Sequence, residues 1–361
     1  MSAIYSQTHS PDWEAFVKVL RHQGESKRVH HIELFLDSEV QEAICTQFDL
    51  LKHLDPTHPY YHLQRQIAIQ RYLGYDYVRC GLDNFDMPLN NIIAPDTADL
   101  KREGGRKYID EHTGPITNWT EFGHYPWPQI GATSTRSLEW FEKNLPDDMC
   151  IIASGGFAHF AEYITWLMGY ETLCYALYDQ RELVHAISQR LIEMYEKVLA
   201  LLLQFNRVKV VWGSDDMGFR SGTLISPDDL REFVLPGHKL MATMAHAAGH
   251  PYLLHSCGKL TDIMPDLIHN VGIDGRHSFE DTIETVVDAK KRYGQDISLL
   301  GGIDMDFICR ASVDQVRKRV RNTLDECMPG GGYCLGTGNT VANYIPLDNY
   351  FAMLDEGSHY A

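Results

Sequence analysis

Three side chains of the kinds that bind zinc stand at the ends of two short apolar runs. His255 and Cys257 follow Tyr252-Leu253-Leu254, and Cys334 follows Gly330-Gly331-Gly332-Tyr333. Zinc favours thiolate and imidazole donors, and three protein ligands leave one coordination position open for water or a substrate. The sequence therefore predicts a catalytic zinc ion, rather than a structural one, held by His255, Cys257 and Cys334.

Burial in the core is the competing explanation for these cysteines. The chain has eight cysteines, scattered without a compact framework, and free cysteine is among the residue types most often buried. In a reducing compartment such scattered cysteines indicate metal binding or burial rather than disulfides. A His-x-Cys pattern at one strand end, matched by a thiol at a second strand end, favours the metal site.

Composition excludes several classes of partner. The chain of 361 residues has a formal net charge of -17 at pH 7, and no basic run with interleaved aromatics offsets it, which argues against nucleic-acid binding. No uncharged apolar stretch reaches the roughly 18 residues that cross a bilayer, so no membrane partner is expected. Residues 1–10 lack the features of a signal peptide, and we therefore expect a cytoplasmic protein.

Short β-rich runs alternate with amphipathic segments from Val29 onward, as in repeated βα units around a parallel sheet. Eight apolar runs have the composition of strands buried on both faces: Val29–Phe35, Tyr75–Gly81, Met149–Ala153, Val208–Gly213, Pro251–His255, Ile273–His277, Ile297–Gly301 and Gly332–Leu335. They predict an α/β fold, a (β/α)8 TIM barrel, as one domain over residues 29–361. Residues 1–28 are predicted to form an N-terminal helical extension.

The segments between the strands are of two kinds. Some carry helix signals: Ser226 with Pro227, a capping box at Ser312, and a long apolar stripe from about Gln180 to Phe205. Residues 82–135 are instead rich in proline, glycine and aromatic residues, with no helical period. We predict that this insertion after the second strand rises over the C-terminal mouth of the barrel, either as a substrate lid or as a simple cover.

Catalytic groups of a parallel barrel belong at the C-terminal strand ends. Glu33 is the first choice for a fourth zinc ligand and Asp216 the second. The alternative role for either carboxylate is to accept a hydrogen bond from a residue that binds the zinc. The neighbouring Asp215 has the alternative role of capping a helix. Three residues near other strand ends are candidates either for substrate binding or for loop structure: His277, Asn339 and Tyr344.

Several motifs together give the chain a family resemblance. It resembles the uroporphyrinogen decarboxylase-like superfamily, whose fold is an eight-stranded β/α barrel, most strongly from Val208 to the C-terminus. The motifs are Trp212-Gly213-Ser214-Asp215-Asp216-Met217-Gly218, Leu224-Ile225-Ser226-Pro227, His255-Ser256-Cys257-Gly258, Gly301-Gly302-Ile303-Asp304 and Gly331-Gly332-Tyr333-Cys334-Leu335-Gly336.

Within that superfamily the chain is similar to the corrinoid-dependent methyltransferases. His255, Cys257 and Cys334 match the His-x-Cys and distant Cys of their zinc motif in type and order. The resemblance implies a zinc enzyme that moves a methyl group to or from the corrinoid (cobalamin) of a separate corrinoid protein. The decarboxylase itself is disfavoured, because the acidic stretch Glu33–Asp37 stands where that enzyme carries arginines.

Two methyl transfers fit such a zinc site. In one, the donor is a small methoxylated aromatic compound, and the aromatic insertion would help to form its pocket; this is the favoured reading. In the other, zinc activates a thiol such as coenzyme M toward a methylated corrinoid. A barrel that binds a corrinoid without turnover is the non-enzymatic alternative.

Overall fold

A seven-stranded parallel sheet forms the centre of the protein. The computed structural model describes Tyr5 and residues 10–360. The sheet has the strand order β1-β4-β5-β6-β7-β8-β9. Its strands are β1 Tyr77–Cys80, β4 Cys150–Ala153, β5 Val208–Ser214, β6 Tyr252–His255, β7 Gly275–His277, β8 Ser298–Leu300 and β9 Tyr333–Cys334. The last seven predicted strands are thus confirmed, with ends that differ by a few residues.

The first predicted strand, Val29–Phe35, is wrong as a regular strand but still completes the barrel. His31 makes an isolated parallel bridge with Leu335, and Leu36, just after the segment, makes another with Val341. On the opposite side the segment meets β1 through a side chain, since the Tyr77 hydroxyl accepts the Glu33 N–H at 2.9 Å. Because the segment has only isolated bridges on one side and a side-chain contact on the other, it is irregular, and the fold is a TIM-barrel-like α/β fold.

Helices surround the sheet. They are α1 Trp13–Leu20, α2 Ser38–Gln47, α3 Tyr61–Leu73, α4 Trp119–His124, α5 Arg136–Asn144, α6 Ala161–Met168, α7 Tyr170–Asp179, α8 Arg181–Leu202, α9 Pro227–Phe233, α10 Leu235–Ala247, α11 Met264–Asp266, α12 Val286–Tyr293, α13 Met305–Arg310, α14 Val313–Cys327 and α15 Leu347–Ser358. Single turns Ile130–Ala132 and Leu267–Val271 add 3-10 and π geometry. None of the helices in the described residues is long and apolar enough to span a membrane.

The local signals act as the sequence predicts. The Ser226 hydroxyl accepts the Asp229 N–H at the start of α9, and Ser312 forms a capping box with Gln315 at the start of α14. The long helix α8 buries a stripe that includes Leu183, Ile187, Leu191, Met194 and Val198. These caps and stripes satisfy helix ends and fix which face packs on the sheet.

The insertion at residues 82–135 has more regular structure than the sequence predicts. It contains an antiparallel hairpin, β2 Asn91–Ala94 with β3 Arg106–Ile109, besides α4. Most of its aromatic rings pack on one another, as Tyr125 and Trp127 do with centroids 4.8 Å apart. Because Arg106 lies over the Tyr344 ring at 5.5 Å, the hairpin is held beside the C-terminal ends of the barrel strands.

Candidate metal centre

Three potential ligands meet where β5 and β6 end. The two strands pair in parallel with Ser214 opposite His255, so the residues that follow each strand emerge side by side at the same rim. Asp216, His255 and Cys257 each place one ligand atom within 4.8 Å of the other two. The group thus contains one oxygen, one nitrogen and one sulfur donor.

The spacing of the three atoms suits a single ion. His255 Nε2 lies 3.5 Å from Cys257 Sγ and 3.4 Å from Asp216 Oδ1. Donor atoms of a tetrahedral zinc ion, with ordinary zinc bond lengths, are roughly 3.3–3.7 Å apart. The geometry and the donor types of Asp216, His255 and Cys257 therefore fit zinc, with a fourth position left for an exogenous ligand.

Backbone and side-chain contacts fix the three donors. The Cys257 N–H donates to Asp216 Oδ1 at 2.8 Å, which ties the two loops together. His255 Nδ1 lies 2.7 Å from His277 Nδ1, so one ring donates to the other and Nε2 of His255 is left facing the group. His277 is fully buried, and burial, with the adjacent His255, lowers its pKa well below the ordinary value. A neutral His277 orients the neighbouring ring without adding charge.

The acid–base properties of the group reflect burial and close contact. Partial burial raises the pKa of the Asp216 carboxyl, but contacts with His255 and the Cys257 amide outweigh it and bring the pKa down to about 2. Burial, followed by the nearby Asp216 carboxylate, raises the pKa of the Cys257 thiol above its ordinary value. A bound cation would reverse the effect on the thiol, because metal coordination favours the thiolate.

Two cavities flank this rim. The larger, of about 750 Å3, includes Asn339 and Tyr344 in its wall and also Glu280, Asp304 and Asp306. The smaller, of about 350 Å3, is lined by Arg79, Trp212, Phe157, His159 and Ser214 among others. Arg79 and Trp212 line this cavity, and the sequence analysis did not name either as a candidate site residue. The sequence signal that could have identified Arg79 is an arginine near the end of an otherwise apolar strand.

Comparison with known proteins places the chain in a family. The sequence model of the family described as uroporphyrinogen decarboxylase (URO-D) matches residues 137–360, more than half of the chain. The chain belongs to the uroporphyrinogen decarboxylase family. The family resemblance predicted from the motifs is thereby confirmed.

Two proteins of Methanosarcina mazei are similar to this member of the family. A methylated-thiol–coenzyme M methyltransferase is 36% identical over 130 residues, which cover 36% of this chain and 32% of that relative. The matched stretch thus spans about a third of the relative's length. A solved methyltransferase structure from the same organism superimposes with a TM-score of 0.65 over 97% of this chain and 98% of its own, at 15% identity, and supports the fold.

Cys334 is the predicted metal ligand that the structure does not bring to the group. In the part of the chain that the structure describes, its thiol is fully buried in the barrel core and does not join Asp216, His255 and Cys257. The cause is that strand-like pairing continues past Cys334, through Leu335 to Thr337. The chain reaches the rim later, so Cys334 lies deeper in the barrel than its position suggested.

Asn339, and not Cys334, contacts the group from the segment that follows β9. Its side-chain Nδ2 donates to Cys257 Sγ at 3.3 Å. This contact places the amide directly beside the thiol of this family member. Tyr344 is farther along the same cavity wall and is half exposed. Of the three predicted substrate contacts, His277 instead touches His255, whereas Asn339 and Tyr344 line a cavity.

The two carboxylates proposed as a fourth ligand differ in position. Glu33 is buried and engaged elsewhere: Thr337 donates to it from the backbone N–H at 2.8 Å and from its hydroxyl at 2.5 Å. Burial raises the pKa of Glu33 to about 8, against the lowering effect of Thr337. Asp216, the second choice, is the carboxylate in the group, and Asp215 accepts the N–H groups of Ala161 and Glu162 at the start of α6.

Proposed function

We propose that this protein is a zinc-dependent methyltransferase that exchanges a methyl group between a small donor and the corrinoid of a separate corrinoid protein. The observation that carries the proposal is the Asp216–His255–Cys257 group at the mouth of a barrel of this family. The similarity to a methyltransferase supports the reaction class.

The side chains would divide the work as follows. Asp216, His255 and Cys257 would hold zinc, which supplies a Lewis acid that stabilises negative charge on a leaving oxygen or sulfur. His277 keeps His255 turned toward the site at 2.7 Å. The Asn339 amide donates to Cys257 Sγ and would limit the rotation of the thiol. Asp216, with its low pKa, stays ionised at neutral pH.

A methoxylated aromatic compound is the favoured methyl donor. The cavity of about 350 Å3 has aromatic walls, Phe35, Phe157 and Trp212, and pockets of that size suit a single-ring molecule. The aromatic side chains of the insertion do not line this cavity, so in this proposal the barrel, and not the insertion, would provide the aromatic pocket. A thiol acceptor of the coenzyme M type is the second candidate, favoured by the name of the 36% identical relative.

Zinc content and methyl transfer test the proposal together. The purified full-length chain is expected to contain about one zinc ion per molecule and to form methylcobalamin from free reduced cobalamin and a methoxyaromatic compound, followed by absorbance. Methylamines and methylated thiols form the comparison panel. If no methyl group moves from any donor while a porphyrinogen loses carbon dioxide, the proposal is wrong.

A further inference from the structure

The smaller cavity is built around an arginine that has no acidic partner. Arg79 extends from β1 into the cavity wall, and within residues 10–360 no carboxylate lies within 4.0 Å of it, although the chain carries 49 acidic residues. Its recorded side-chain hydrogen bond runs from Nε to Ser154 Oγ at 2.9 Å. Both terminal nitrogens are therefore left with donors to offer.

The walls of the cavity preserve the positive charge of Arg79. Among the residues that the structure describes, no aspartate or glutamate lines this cavity. Glu33 shares a neighbouring cavity with Arg79, but burial raises the pKa of Glu33 to about 8, which keeps most of it neutral at pH 7. His159, the other basic side chain, is already paired with Glu162 at 2.5 Å. The cavity thus holds one uncompensated cation.

A second donor in the same wall also has no partner. Trp212 is 1% exposed, lines the cavity, and has an Nε1–H without an acceptor in the described residues. Arg79 lies over its ring, with the guanidinium carbon 5.0 Å from the centroid. A buried N–H that is left unpaired is unfavourable, and the indole ring supports the Arg79 guanidinium at the cavity wall.

The cavity has room for a ligand and lies beside the strand ends that carry the candidate metal centre. Its floor includes Gly155 and Gly156, and a Cβ added at Gly156 would meet no atom within 4 Å. Trp212 contacts the ring of His277 edge-on at 5.6 Å, and His277 in turn contacts His255. Ser214 also lines the cavity and pairs with His255 across β5 and β6, so a molecule anchored at Arg79 would lie next to the strand ends that carry Asp216, His255 and Cys257.

We propose that this cavity is a subsite for the carboxylate of a small aromatic methyl donor. Arg79 donates to the carboxylate in the forked geometry that guanidinium groups favour. The inference deepens the proposed methyl transfer and rests on it for its biological meaning. The binding itself does not depend on that reaction.

The test is direct binding to the full-length protein by isothermal titration calorimetry, with 3-methoxybenzoate as the probe. Anisole, the neutral counterpart, and 3-methoxybenzenesulfonate are the two comparison ligands. We expect the carboxylate to bind the wild-type protein at least about tenfold more tightly than anisole, because a charged hydrogen-bonded pair is lost with the neutral ligand. Equal binding of the two would overturn the proposal without any variant.

Variants locate the binding. Arg79→Gln is expected to weaken methoxybenzoate binding about 10- to 100-fold while changing anisole binding by no more than about twofold. Arg79→Lys should restore part of the loss, because it keeps the charge but not the fork. The matched control is Arg136→Gln, an arginine that lies 4.8 Å from the Tyr60 ring centroid outside the cavity. Thermal unfolding of each variant verifies that it folds.

The outcomes separate this inference from the proposed function. Arg79-dependent binding of methoxybenzoate without any methyl transfer would support the subsite and reject the methyltransferase. Methyl transfer that proceeds equally well from anisole and methoxybenzoate would reject the subsite and leave the methyltransferase standing. Tighter binding of the sulfonate than of the carboxylate would overturn the choice of carboxylate, and loss of binding in Arg136→Gln would overturn the location.

Discussion

Replacement of Cys257 or of Cys334 by alanine gives opposite expectations for metal binding. The thiol of Cys257 lies 3.5 Å from His255 Nε2, whereas Cys334 is fully buried in the barrel core. Zinc sites with four protein ligands bind with roughly 10–16 kcal/mol, or about 2.5–4 kcal/mol for each ligand. Loss of one ligand therefore weakens zinc binding about 100- to 1000-fold.

Cys334→Ala removes a buried sulfur without touching the group. Its expected cost is about 1 kcal/mol of unfolding free energy, as for other small core truncations, with a zinc dissociation constant within about twofold of wild type. Competition with a chromophoric chelator measures both constants, and urea denaturation of the metal-free proteins measures stability. Zinc loss in Cys334→Ala together with zinc retention in Cys257→Ala would refute the geometry argued above.

Two further predictions concern buried polar groups. The pKa of Glu33 is about 8 in the folded protein, above its unfolded value, so protonated Glu33 stabilises the fold at low pH and this contribution is lost as the pH rises through 8. Relative to wild type, Glu33→Gln should therefore be more stable at pH 8 than at pH 5, as measured by urea denaturation. An identical pH dependence of the two proteins would contradict this. Asp215→Ala should lower the unfolding free energy by about 2–4 kcal/mol, because it leaves two helix N–H groups and His238 without their acceptor. A loss below about 1 kcal/mol would contradict this and show that water replaces the carboxylate.

The barrel was readable from the sequence because its central strands are short apolar runs separated by capped helices. The helix signals at Ser226 and Ser312 depend on neighbours three residues away, and both were found in the structure. The segment at Val29–Phe35 was harder, because an irregular strand has the same composition as a regular one. The hairpin of the insertion was missed because its strands are mostly exposed and lack the buried apolar run that marks the barrel strands.

The sequence predicted only part of the site, because it does not show how deep in the barrel a side chain lies. A sequence shows that Cys334 lies near the end of a strand but not that the pairing continues to Thr337, so the level of its side chain in the barrel was misjudged. Adjacent carboxylates pose the same difficulty. Asp215 is buried against α6 and Asp216 faces the group, and one residue of difference in the loop decides which of them meets His255.

Arg79 escaped the sequence analysis for a different reason. An arginine in a strand is ordinarily paired with a carboxylate or exposed, and only three-dimensional neighbours show that this one has, within residues 10–360, neither an acidic partner nor an acidic cavity wall. Because an unpaired charge that is partly buried is costly, retention of the charge at Arg79 favours a compensating contact. The sequence can place Arg79 on β1, but it does not show which side chains surround it.

The two cavities have walls of opposite charge and therefore favour ligands of different charge. The wall of the larger cavity contains Glu280, Asp281, Asp304 and Asp306, against one arginine, Arg310, so it repels anions. The smaller cavity has the opposite character because of Arg79. Under the proposed function an anionic donor would be drawn to the smaller cavity, next to Trp212, and the larger one would stay free for a neutral or cationic reactant. Since the two cavities flank the candidate metal centre, opposite charge would keep the two reactants from competing for the same space.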